Sequence, residues 1–329
     1  MQDEDLIALV REARPHLEGS APDSESWLSR LEERHDELHR LVEERLAAGR
    51  PEALELAAAL WPYWWQRGHM GEARVLLERA VAVEGPDRAR ALRGLGTIAF
   101  RQGDVDAAER AFVDRLGLVE REGTELELVE ALTDLSRIAL RRGDFAGVRT
   151  YAERAYEIAV RLEEDALRMP LHMRAAAARM EGRLEEARAL YLENRELSER
   201  LGYELMVVAE DHNLFHVALR SGDREEAERR FRASSEWILA SNNAYMVPYA
   251  YLDAGVLALH DGDLERAGRL VACADRIFEE SGSIPDPDDA VELEQAVARL
   301  RRELGERFDT VWAEGRKLGD DEAQALART

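Results

Sequence analysis

A glycine followed five residues later by alanine or valine recurs six times, at Gly68, Gly103, Gly143, Gly182, Gly222 and Gly262, with Ala73, Ala108, Val148, Ala187, Ala227 and Ala267. Successive glycines stand 35, 40, 39, 40 and 40 residues apart. A period in this range belongs to stacked supersecondary units, each too small to bury its own apolar face. The chain is therefore expected to grow by repetition, whereas 329 residues would otherwise suggest about two globular domains.

Each unit reads as two antiparallel helices hinged at the glycine. Gly-Asp recurs at Gly103-Asp104, Gly143-Asp144, Gly222-Asp223 and Gly262-Asp263; glycine takes the left-handed conformation that ends one helix and aspartate caps the next. In the unit around Gly103 the first helix is expected over 87–102 and the second from Asp104 to about Arg121. Ala99, Ala139, Ala178, Ala218 and Ala258 lie four residues before their glycines, where two helix backbones must approach closely; the first unit has Trp64 there. Apolar positions at helical spacing, such as Leu92 and Leu95 or Leu132 and Leu135, complete the inward stripe. Charged residues make up 34% of the chain and there are only 9 prolines, in keeping with an all-α fold.

The formal charge is -23, from 68 acidic and 45 basic residues, and Lys317 is the sole lysine. Such a surface repels nucleic acid and anionic membrane, so no direct nucleic-acid binding and no membrane association are expected. The acidic start, Met1-Gln-Asp-Glu-Asp, is unlike a signal peptide, and one cysteine, Cys273, excludes an internal disulfide and reads as a small buried filler; a cytoplasmic location is expected.

Residues 1–50 are expected to form capping helices: one from Asp3 to Leu17, a polar loop at 19–23, and one long helix from Glu25 to Ala48. Six helix pairs occupy 51–281, and 282–329 form C-terminal caps after the Gly282–Pro287 break.

Gly and Ala in a helix-turn-helix period, with Phe112, Tyr191 or Phe231 four residues beyond the alanine, resemble the tetratricopeptide repeat, at about 40 residues instead of 34. Residues 27–38, Trp27-Leu-Ser-Arg-Leu-Glu-Glu-Arg-His-Asp-Glu-Leu38, and 57–69, Ala57-Ala-Ala-Leu-Trp-Pro-Tyr-Trp-Trp-Gln-Arg-Gly-His69, resemble the helical sensor arm of bacterial STAND-type transcription regulators, the AfsR-like, MalT-like and LuxR-type ATPases. Trp312–Leu318, followed by Glu322-Ala323, resembles how such arms end. The resemblance implies a right-handed superhelical solenoid of antiparallel helix pairs that senses a ligand and reports to another module. No Gly-x4-Gly-Lys-Ser/Thr loop is present, so ATP binding is not carried over and no cofactor is expected.

In tetratricopeptide folds the stripe beside the packing stripe of each first helix lines the concave face. In the five later units it holds seven arginines and four histidines against one carboxylate, Glu130. Trp65, Arg93, Arg101, Arg137, Arg141, His172, Arg179, His212, His216 and Arg220 are therefore the candidate groove residues, for a peptide, a protein segment or a small anionic effector. The other reading is that these arginines pair with neighbouring glutamates.

His212 and His216, one helical turn apart, could bind zinc but lack a His-Glu-x-x-His context; groove lining or packing are the alternatives, and no metal is expected. Arg174 and Asp211 fall at packing positions and are expected to pair across a unit boundary. Of the aromatic run 61–65, Trp61 and Trp64 face inward and Trp65 faces the groove. The leading function is a non-enzymatic recognition module. The alternatives are an assembly scaffold acting through its outer surface, or an enzyme using His212, His216 and Asp211 as general acid and base.

Overall fold

The structure, a computed structural model, describes residues 2–17, 23–241 and 243–328. The expected loop residues Gly19–Pro22 lie outside the described residues. The chain divides into two compact units, Met1–Ile138 and Ala139–Thr329, a boundary that falls inside the repeat array. All regular structure among the described residues is helical.

Unit 1 contains α1 (Gln2–Ala13), α2 (Ser24–Glu32), α3 (His35–Ala47), α4 (Glu52–Gln66), α5 (Met70–Ala80), α6 (Arg88–Arg101), α7 (Val105–Glu122) and most of α8 (Glu125–Arg141). One core joins Leu6 and Val10 of α1, Leu28 and Leu31 of α2, Leu38, Leu41 and Val42 of α3, and Trp61, Tyr63 and Trp64 of α4. Pro62 sits inside α4 without an N–H to donate, which leaves the carbonyl of Ala58 without its helical partner. Arg90 Nε donates to that carbonyl at 2.8 Å. The single helix expected from Glu25 to Ala48 is two, because the chain turns at Glu33–Arg34 with Arg34 at φ -118° and ψ 15°. Neither Gly nor Pro marks the break, and Arg34 is pinned by a two-pronged ion pair to Glu37.

Unit 2 continues with α9 (Phe145–Ala159), α10 (Arg168–Met180), α11 (Leu184–Leu201), α12 (Glu204–Arg220), α13 (Arg224–Ser241), α14 (Val247–Asp261), α15 (Leu264–Glu280), α16 (Pro287–Leu304), α17 (Phe308–Gly315) and α18 (Asp320–Arg328). Helices α14 and α15 pack on each other, α17 rests on α15, and α18 on both. The second half of α16 joins the same core through Ala296, Leu300 and Leu304. Its first half does something else, described below.

The repeated punctuation has the expected cause. The six signature glycines have φ between 69° and 84°, the left-handed region that side chains disfavour. Asp104, Asp144, Asp223 and Asp263 each accept a backbone N–H three residues on, at 2.9–3.2 Å; each such cap is worth about 0.5–2 kcal/mol. Ala99, Ala178 and Ala258 are at most 1% exposed, at the closest approach of paired helices. Gly96 of α6 makes the same point at a different position: a Cβ there would come within 2.4 Å of the ring of Phe112 on α7. Gly96→Ala is expected to cost about 1–3 kcal/mol, read from thermal unfolding, because Phe112 has no room to retreat from a core site. A variant melting like the parent would mean the α6–α7 seam is loose.

Candidate functional site

Helices α10, α12 and α14 are consecutive first helices of their pairs, so residues at equivalent positions face the same side of unit 2. On that side Arg179 of α10, His212, His216 and Arg220 of α12, and Asp253 of α14 come together with the first two turns of α16. The sequence-predicted cations thus meet carboxylates from the same chain.

Arg179 is wholly buried. Its Nη1 donates to Asp288 Oδ2 at 3.0 Å and Asn213 Oδ1 at 2.7 Å. Its Nη2 donates to Asp289 Oδ1 at 3.3 Å and Glu292 Oε1 at 3.1 Å. Arg220 Nη2, on the rim, reaches Glu292 Oε1 at 2.6 Å. Arg141 donates to the carbonyl of Pro285, and the hydroxyls of Tyr245 and Tyr249 donate to Asp286 Oδ2 at 2.6 and 3.2 Å. Residues 285–292 are therefore held at nearly every polar position.

His212 has a carboxylate oxygen at each ring nitrogen, Asp253 Oδ2 at 2.7 Å from Nδ1 and Asp289 Oδ1 at 3.1 Å from Nε2. Both contacts are satisfied only by the imidazolium, which donates from both nitrogens. Burial opposes that charge, but Asp253 and Asp289 outweigh it and raise the His212 pKa well above its ordinary value. Burial likewise opposes the charge on Asp253, yet His212 and His216 hold its carboxyl below the usual range. Asp289 is lowered against its own burial by His212 and Arg179, and Glu292 against its burial by His216, Arg179 and Arg220. Asp288 goes the other way, raised by burial and by the adjacent Asp289. Four carboxylates face two guanidinium groups here, and a proton on His212 adds a third positive charge.

His216 Nε2 meets Asp253 Oδ1 at 2.9 Å, beside the 2.7 Å contact of His212. These are hydrogen-bond lengths, shorter than the roughly 3.3 Å between neighbouring ligand atoms that tetrahedral zinc with bonds near 2.0 Å requires. As they stand, these three side chains are joined by hydrogen bonds, with one donor atom of each within 4.8 Å of the others. His172 Nδ1 meets Glu210 Oε1 of α12 at 3.0 Å.

Two expectations need correction. Arg174 and Asp211 do not pair: Arg174 lies over the ring of Tyr156, 4.6 Å from its centroid, and Asp211 Oδ1 accepts from Arg195 Nε at 2.8 Å and Arg230 Nη1 at 2.6 Å. One residue along a helix is about 100° around it, so Asp211 faces α11 and α13 while His212 faces α14 and α16. For the same reason Asp211 cannot join His212 and His216 in one acid-base constellation.

The remaining candidates belong to unit 1 except for the shared helix α8. Arg93 Nη1 is 2.8 Å from Glu130 Oε1, and Arg137 Nη1 is 3.8 Å from Asp134 Oδ1. Arg115 of α7, almost wholly buried, also reaches Glu130 and Asp134, at 2.8 and 2.7 Å. Arg101 is half-buried, and Trp65 is half-buried with its ring 6.5 Å from that of Trp61. In this unit arginine pairs with neighbouring acids, the plainer of the two readings. Sequence reasoning missed Asp253 and the acids of α16. Asp253 was detectable as the lone carboxylate within the apolar stretch from Tyr249 to Leu259.

No family model matches the chain, and no curated protein matches it. Among solved structures, it is similar to a Rap protein complexed with competence and sporulation factor, at TM-score 0.62 and 15% identity, covering 99% of this chain and 96% of that one. It is also similar to the apo form of RapI, at TM-score 0.53 and 13% identity over 98% and 96%. Aspartyl phosphate phosphatase F from Bacillus subtilis matches at TM-score 0.50 and 13% identity over 98% and 91%. These neighbours are tetratricopeptide-like helical-repeat proteins, and the all-α repeat class is that of this chain. At such identities the likeness concerns the fold. Among the described residues no helix is long and apolar enough to cross a membrane.

Proposed function

We propose that the chain is a non-enzymatic recognition module whose unit 2 lining takes a carboxylate-bearing protein segment, and that residues 285–292 occupy this lining as an internal ligand. The observation that carries the reading is the convergence of Arg141, Arg179, His212, His216 and Arg220 on one short stretch of backbone and carboxylates. Guanidinium groups recognise carboxylates by charge and fork geometry together, so the internal segment reports the chemistry the lining selects. Asp288, Asp289 and Glu292 present acids at positions i, i+1 and i+4 of a helix start. A competing partner segment, or a small anionic effector with similarly spaced acids, would displace the first turns of α16. The solved complex of a Rap protein with competence and sporulation factor supports a recognition role on this fold. The resemblance to the sensor arms of transcription regulators adds that displacement is reported to another module.

The test is a fluorescent peptide of residues 283–295 added in trans. The parent chain, with its lining occupied, is expected to ignore it. Asp288→Asn with Asp289→Asn weakens the internal segment and is expected to bind the peptide with an affinity that falls as salt rises. Adding Arg220→Glu on the rim should abolish that binding. A double variant that is folded by circular dichroism and still ignores the peptide refutes the proposal.

A further inference from the structure

A second cluster lies in unit 1, where the break between α2 and α3 meets the start of α5. Glu32 ends α2, His35 begins α3, His69 precedes α5 and Glu72 is in its first turn. One donor atom from each of Glu32, His35 and His69 lies within 4.8 Å of the others. His69 Nε2 is 3.0 and 3.2 Å from the two oxygens of Glu32, and His35 Nε2 is 3.1 Å from Glu72 Oε2. The two imidazoles stack with centroids 3.7 Å apart.

Tyr63, buried beneath the cluster, fixes the protons. Its hydroxyl donates to Glu32 Oε2 at 2.9 Å, so its oxygen can only accept from His35 Nδ1, 2.8 Å away. The Nδ1 of His35 therefore carries hydrogen, and neutral imidazole has just one. Its Nε2 is the nitrogen left to face the Glu72 carboxylate, at 3.1 Å. A second proton on the ring or a metal ion between the two would each satisfy this pair.

We propose that Glu32, His35, His69 and Glu72 form a surface site for a divalent transition metal of the zinc class. Two imidazoles and two carboxylates are a donor set zinc accepts, and two ionised acids neutralise its charge. One donor atom each from Glu32, His35 and His69 lies within 4.8 Å of the others, a spread that small side-chain rotations can close onto one ion, and Glu72 Oε2 is 3.1 Å from His35 Nε2. Tyr63 is a positioning residue: by bonding His35 Nδ1 and Glu32 it orients two ligands, the usual task of the groups behind a metal shell. The half-exposed Glu32 and Glu72 leave an open path for the ion. Bound metal would tie α2, α3 and α5 together at the point where the chain turns without glycine or proline.

The experiment titrates the full chain with Zn2+ by calorimetry and with Co2+ by visible absorption. One equivalent is expected to bind, with the intense Co2+ bands of a four-coordinate site. His69→Ala should weaken binding at least about tenfold, and Tyr63→Phe should weaken it about tenfold and alter the Co2+ bands. Circular dichroism checks that each variant is folded, and Mg2+ should not compete because the donors include nitrogen. His212→Asn should leave the titration unchanged, which separates this site from the buried histidine pair. No heat and no Co2+ band at millimolar metal, binding unaltered in folded His69→Ala, or binding lost in His212→Asn alone would each overturn the assignment.

Discussion

Arg179→Met is expected to lower the unfolding free energy by about 3–5 kcal/mol, the typical consequence of removing one partner from a buried ionic group. The guanidinium is wholly buried and donates to Asp288, Asp289 and Glu292, all less than a tenth exposed. Without it those acids face one another with only Arg220 and the imidazoles for compensation. Methionine keeps much of the volume, so lost charge and not an empty cavity dominates the result. Arg179→Lys should recover only part of the loss, since one ammonium cannot serve Nη1 and Nη2 partners on separate residues. The effect should be local before it is global. Hydrogen exchange should accelerate first over 287–292, while the second half of α16, held by Ala296, Leu300 and Leu304, stays protected. Urea unfolding of parent and variant decides the matter: coincident midpoints would mean that the ion cluster contributes nothing and that α16 is held by its apolar half alone.

How much of this could be read beforehand follows from distance along the chain. The glycine, aspartate and alanine marks act within one helix pair, and each is visible because glycine at positive φ and aspartate at a helix start are local requirements. The position of a residue on its helix is local too, which is why Arg179, His212, His216 and Arg220 were picked out together. Their partners were not. Pro285-Asp286-Pro287-Asp288-Asp289 reads as an ordinary helix start, with proline at the first turn and acids favoured by the helix dipole. Nothing local says that this start closes onto a guanidinium 109 residues earlier. The same blindness hid the meeting of Glu32 and His35 with His69 and Glu72. The Arg174–Asp211 error has a different origin, because unit 2 offers Asp211 nearer partners in Arg195 and Arg230. Pairing arguments from equivalent repeat positions omit the second helices, and those supplied both.

Stability should be greatest between roughly pH 4.5 and 6.5 and decline on both sides, for reasons that differ. Asp253, Asp289 and Glu292 have pKa values lowered in the folded chain. Their contributions are present above the unfolded values, near 3.9 for Asp and 4.3 for Glu, and are lost as pH falls. Asp288, raised, opposes this on the acid side, since the folded chain holds its proton more tightly. His212 is raised, so its contribution is complete below about 6.5 and is lost as pH rises toward its folded value. Over that stretch the loss approaches 1.4 kcal/mol per pH unit, roughly a tenfold change in the folding equilibrium. The groups facing it are Arg179 from α10, His216, Arg220 and Asn213 from α12, Asp253 and Tyr249 from α14, and Asp288, Asp289 and Glu292 from α16. The guanidinium groups stay charged throughout, so the alkaline decline belongs to the imidazole side. Urea titrations from pH 4 to 9 on the parent and His212→Asn test this directly. The variant should be less stable at pH 6 and should lose the alkaline slope; if it keeps that slope, the proton shared between Asp253 and Asp289 is not on His212.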